Sequence, residues 1–137
     1  MMKEKRKNAI LIFLLILIAI FILASFYIIL KPLEVRKIEV SFTVAENAGF
    51  DLNKSALTFG KVMPENIISR RIIIENNRDF PVKINVFADK NIMDYLDFEN
   101  SFFIEGNGKH NLVVVLKVPK NAILGEYKGI MKFIIEK

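Results

Sequence analysis

Cysteine, tryptophan and glutamine are absent from this chain, and histidine occurs once. Without cysteine there is no disulfide framework, no thiolate metal site and no cysteine nucleophile. With His110 as the lone imidazole, a metal site would have to be completed by carboxylates, and the nearest in sequence is Glu105. A serine triad would need that same histidine, yet no G-x-S-x-G elbow presents a serine to it. The closest approach to a phosphate loop, Gly106-Asn107-Gly108, leads into a strand pattern and reads as a turn, with His110 at its edge. Nothing here points to an enzyme or to a cofactor.

A one-sided charge is missing as well. The formal net charge is +5, but the first seven residues hold Lys3, Lys5, Arg6 and Lys7 against Glu4. The remainder is near balance, 16 basic residues against 14 acidic, with both signs interspersed. That is a solvated surface without a phosphate-binding stripe, so nucleic acid is not an expected partner, and neither is a small-molecule substrate. The richness in Ile, Lys and Asn matches the bias of an AT-rich genome.

What is present is one long apolar run. Residues 9–30 carry no charge, and as a helix 22 residues extend ~33 Å, enough to cross a bilayer core of ~30 Å. Within lipid every backbone N–H must be satisfied inside the segment, which makes the helix obligatory. A cleaved signal peptide is the competitor, but its apolar stretch is shorter, and Ala24-Ser25-Phe26 is a poor cleavage site followed by more apolar residues. The expected organisation is a basic cytoplasmic tail at 1–8, a transmembrane signal anchor at 9–30, and a linker at 31–34. An extracytoplasmic domain at 35–137 follows. The orientation rests on the basic cluster before the helix.

Past Pro32 the apolar period becomes two. Ile38, Val40, Phe42 and Val44 alternate with polar residues; Leu57, Phe59 and Val62 follow a loop; Ile68 to Glu75 ends at the turn residues Asn76-Asn77-Arg78-Asp79. Val82, Ile84 and Val86 make a fourth strand and Phe102 to Ile104 a fifth. Leu112 to Val118 and the stretch from Gly125 onward complete the set. Residues 91–100 are irregular, with Tyr95, Leu96 and Phe98 placed to plug one end of a core. About seven short strands separated by turn signals predict an all-β, seven-stranded antiparallel sandwich behind one transmembrane helix.

Two stretches carry a resemblance. "LTFGKVMPENIISRRIIIENNRDFPVKI", residues 57–84, resembles the hydin and major-sperm-protein type of immunoglobulin-like domain, in which a Phe-Gly-x-Val step precedes a turn and a strand ending in Asn. "VPKNAILGEYKGIMKFII", residues 118–135, is similar to the closing strands of archaeal and bacterial cell-surface sandwiches. The sequence departs from the first pattern at Pro64-Glu65, where that family often has glycine. The resemblance implies an immunoglobulin-like fold that binds proteins or acts as a spacer, with no catalytic residues to carry over.

Four residues are candidates for a partner surface. Ile130 and Ile134 have the outward parity of the last strand, and antiparallel pairing with the preceding strand would bring Val113 and Val115 beside them as one apolar strip. Asp89, Asp94 and Asp97 lie close in sequence, but their spacing fits no calcium loop. Asn53-Lys54-Ser55 is the single N-x-S/T sequon, which makes Asn53 the candidate glycosylation site. The expected function is non-enzymatic: a membrane-anchored β-sandwich contacting an envelope or membrane protein outside the cell. The alternative is an accessory subunit that binds through its helix inside the bilayer, the sandwich serving as a cap; the helix lacks a small-x-x-x-small packing motif.

Overall fold

In the computed structural model, residues 2–48 and 56–137 are described, and they divide into two compact units at Lys31/Pro32. The first unit is one helix, α1 (Met2–Leu30), whose apolar side chains are exposed, from Ile18 at 47% to Phe21 at 73%. The helix includes the charged residues that the sequence assigns to a separate tail, because straight-chain Lys, Glu and Arg are themselves good helix formers. Its stretch Arg6–Ile28, of mean hydropathy 3.3, is long and apolar enough to cross a membrane.

Among the described residues the second unit has eight strands in two sheets. The larger sheet is curled and has the order β2 (Leu57–Val62), β1 (Glu34–Val44), β8 (Gly125–Glu136), β4 (Val82–Ala88), β6 (Ser101–Ile104). The smaller has the order β3 (Ile67–Glu75), β7 (Lys109–Lys117), β5 (Leu96–Asp97). One helical turn, α2 (Lys90–Met93), precedes β5. The eighth strand is the two-residue β5, which lies inside the stretch that reads as irregular in the sequence.

Pairing corrects the expectation of an all-antiparallel domain: β1 and β2 run parallel, Val40 opposite Leu57 and Val44 opposite Val62. The chain leaves β1 through a long connection and re-enters alongside it in the same direction, which no tight hairpin could achieve. The register slips between Ser41 and Thr43, where two residues of β2 oppose one of β1 and Gly60 takes a left-handed φ of 72°. The extra residue resets the alternation, so that Leu57, Phe59 and Val62 all face inward despite spacings of two and then three.

Alternation places every second residue of the long strands in a common core, with Val40, Phe42, Ile84, Leu112, Val114, Leu116 and Met131 at most 2% exposed. Burying each such side chain contributes ~1.5–3 kcal/mol, whereas the ion pairs are solvent-exposed and worth at most ~1 kcal/mol each. At one end α2 drops Ile92, fully buried, onto Gly129; a Cβ on Gly129 would meet the Ile92 Cδ1 at 2.7 Å.

Asn76 closes the other end. It is 3% exposed, and its Nδ2 donates to the carbonyls of Phe80 (2.8 Å), Ile104 (3.2 Å) and Glu105 (3.1 Å). Its Oδ1 accepts the Arg78 N–H at 3.1 Å, and its backbone N–H reaches Gly108 O at 2.9 Å. One amide therefore ties the β3–β4 turn to the β6–β7 turn. Asn76→Ala strands several buried carbonyls and should cost ~2–4 kcal/mol, whereas the exposed neighbour Asn77→Ala should change stability little. Denaturant unfolding of both variants compares them; equal losses would remove Asn76 from this role. Glu65 carries a left-handed φ of 66° in the turn before β3. Glu65→Gly should therefore leave stability unchanged or raise it by up to ~1 kcal/mol, which thermal unfolding checks.

Candidate interaction surface

The expected strip of Val113, Val115, Ile130 and Ile134 is not continuous. β8 pairs with β1 and β4, not with β7, and the connection after Val118 carries the chain from the smaller sheet to the larger. Val113 (44% exposed) and half-buried Val115 lie on the outer face of the smaller sheet. Ile130 (41% exposed) and half-buried Ile134 lie on the outer face of the larger one. Period two fixes which face a residue takes, but it does not name the neighbouring strand.

On the larger sheet the outer face carries more apolar surface than the sequence reading assigned to it. Ile134 stands between Val35 and Asn85 in register, and Lys132 stands opposite Phe87. Phe87 (53% exposed), Ile130 and Ile134 line a shallow depression of about 380 Å3. Phe103, 69% exposed, stands opposite Lys83 on the next strand pair. Lys37, Lys83, Lys128 and Lys132 are interspersed with Glu39, Glu126 and Glu136, so the apolar positions sit in a field of both signs. Phe87 and Phe103 escape a period-two reading because each adjoins an inward apolar residue, Val86 and Phe102.

The second surface is the margin where the sheets meet. β2 begins only at the level of Val40, so among the described residues the Glu34–Glu39 half of β1 has no strand on that side. Opposite it lies β3, which has a single neighbour, β7. Between them opens a groove of about 330 Å3 floored by Ile38, Ile84, Phe133 and Ile135 and bordered by Ile72 and Ile74, with Arg36 and Lys37 at its mouth. Arg36 pairs with Glu34 at 2.6 Å, and Arg78 approaches the same carboxylate at 3.3 Å. The Arg36 hydrogen bond is the main reason the Glu34 carboxyl is held below its usual range.

The remaining sequence candidates have structural employment. His110 lies on β7, not in a turn; its ring stacks on Phe102 at 4.0 Å and its Nε2 is 3.1 Å from Glu99 Oε2. The Asp89 carboxylate accepts the Ile130 N–H at 2.9 Å, and Asp97 pairs with Lys117 at 2.5 Å on the smaller sheet. Among the described residues no group of three His, Cys, Asp or Glu side chains could hold a metal ion. Asn53 falls outside the described residues.

At the end of the domain holding α2, Phe42, Tyr95 and Tyr127 form an aromatic trio with centroids 4.9–5.4 Å apart. The Tyr127 hydroxyl donates to Ile123 O at 2.9 Å. Hydrogen bonding to Tyr127, reinforced by desolvation, pushes the Tyr95 phenol up to about 12 from 10.0. Its neutral form stabilises the fold fully below pH 10, and that contribution is lost as pH rises from 10 to about 12, because the unfolded phenol ionises first. Stability should fall across that window. In Tyr127→Phe, Tyr95 should ionise closer to pH 10, as followed by tyrosinate absorbance against a Tyr95→Phe control; an unchanged titration would rule out the hydroxyl pair.

Comparison with protein families, with curated proteins and with solved structures finds no match for this chain.

Proposed function

We propose that this protein is a non-enzymatic, single-pass membrane protein that presents residues 35–137 outside the cell to bind another protein of the envelope. The helix is an uncleaved anchor, with the basic N-terminal cluster on the cytoplasmic side. The domain is an immunoglobulin-like sandwich of the hydin and major-sperm-protein type. Two motif positions support that assignment by having structural work to do: Gly60 makes the β2 bulge, and Asn76 locks the end of β3. Neither small-molecule nor nucleic-acid binding belongs to this reading.

The observation that carries the reading is the pairing of a spanning-length helix with a β domain whose outer face displays Phe87, Phe103 and Ile130. Exposed apolar side chains among charges are the usual composition of a protein-binding patch. Phe87 and Ile130 share one depression, so they are the residues expected at its centre.

Alkaline carbonate should leave the protein in the membrane, and protease added to intact cells should digest the domain. A soluble form beginning after Ala24 would overturn the anchor. In native membranes, Phe87→Lys with Ile130→Lys should abolish crosslinks to other proteins while the domain keeps its β-type circular dichroism. Crosslinks that persist in the folded variant would move the partner site elsewhere.

A further inference from the structure

The free margin of β3 has a sequence that complements itself. Residues 71–75 read Arg-Ile-Ile-Ile-Glu, and β3 is the end strand of its sheet. Arg71, Ile73 and Glu75 face outward, while Ile72 and Ile74 face the core side. Natural edge strands usually guard against pairing with charged side chains, a bulge, a proline, an inward charge, extreme shortness or a covering loop. Among the described residues this half of β3 has only the charges Arg71 and Glu75, and these are of opposite sign. Further along, Arg70 is held by the Thr58 carbonyl at 3.3 Å beside β2, so the open part begins after it.

We propose that two copies of this chain join through β3, edge to edge and antiparallel, with Ile73 on the two-fold axis. In that register Arg71 of each copy lies opposite Glu75 of the other, Ile73 opposes Ile73, and Ile72 opposes Ile74. Directly opposed residues share a face, so the charges meet on the outer side around the Ile73 pair, and Ile72 meets Ile74 on the core side. The alternatives are worse. Centring on Arg71 sets two guanidinium groups against each other, and centring on Glu75 does the same with two carboxylates. Centring on Ile72 leaves Arg71 against Ile73. A shift that interchanges odd and even positions would turn the buried set outward.

The groove gives the pairing room and a further reason. The larger sheet is one strand narrower beside Glu34–Glu39, directly below Ile72–Ile74, and its inner face is left partly uncovered there. A second β3 extends the narrower sheet from three strands to six across two copies and lays its own Ile72 and Ile74 toward that opening. Glu75 is already paired with Lys109 at 2.6 Å, while Arg71 has no ion-pair partner among the described residues. The interface therefore supplies Arg71 with the carboxylate it lacks. This dimer is independent of which envelope protein the outer face of the larger sheet binds.

Because the chain has no cysteine, single substitutions report the geometry without background. Directly opposed antiparallel residues have Cα atoms ~4.5–5.5 Å apart, inside the ~4.4–6.8 Å range a disulfide accepts. In membranes holding the full chain under mild oxidation, Ile73→Cys should form a covalent dimer. The rate should exceed that of Ile123→Cys, an exposed site away from the margin, by ~10-fold or more, as a docked pair exceeds collision. Arg71→Cys alone and Glu75→Cys alone should stay at the collisional rate, and the two together should crosslink. On the Ile73→Cys background, Arg71→Glu should slow the reaction, and adding Glu75→Arg should restore it. Ile73→Cys crosslinking no faster than Ile123→Cys would overturn the proposal; association through the helix gives that pattern. An Arg71→Glu variant that crosslinks as readily as its parent would overturn it too.

Discussion

Three strands facing five cannot take all of the larger sheet's apolar inner surface out of water, and the particular features of this domain follow from that shortfall. Curling of the larger sheet narrows the difference. The rest is met piecemeal. At one end α2 inserts Ile92 against Gly129, and Tyr95, Leu96 and Phe98 pack against the core from the short segment that follows. At the other end the two turns draw together over the Asn76 amide. Along the margin between β1 and β3 none of the described residues is inserted, and a groove is left.

These closures differ in kind. The Ile92 contact is steric: a methyl group on Gly129 would require the buried Ile92 side chain to shift. The Asn76 contact is directional, drawing one donor group toward three carbonyls, and it fixes where two turns lie without contributing apolar area. The aromatic trio combines both, with Phe42 stacked flat on Tyr127, Tyr95 tilted against the two, and the Tyr127 hydroxyl bonded to Ile123 O.

The strand positions were legible because alternation is written directly into stretches such as Ile38–Val44 and Leu112–Val118. Even the β2 bulge has a trace in the sequence, in the step from Leu57 to Phe59 to Val62 around Gly60. The apolar stretch of α1 was legible for the opposite reason, the want of any polar face. Pairing was not legible: the closing strand is apolar on both parities, so it could sit beside β7 or in the middle of the other sheet, and tertiary packing chose the latter. Asn76 was hidden inside Asn-Asn-Arg-Asp, a run that reads as solvated turn chemistry, although the first Asn is the buried one. Phe87 and Phe103 were hidden by their inward neighbours. His110 reads as a turn residue in the sequence because β7 begins before its first apolar residue, Leu112.

The seam between β1 and β8 has a consequence for how the chain is made. Glu34 pairs with Ile135, so the first strand of the larger sheet finds its long partner only after about a hundred further residues exist. Until then β1 has β2 along only part of one side, and the inner faces of β1, β2 and β4 have no finished sheet to join. Contacts so distant in sequence form late and leave apolar edges exposed while they wait. Synthesis that stalls between Pro32 and Gly125 would leave a chain with a complete helix but without β8, the middle strand of the larger sheet.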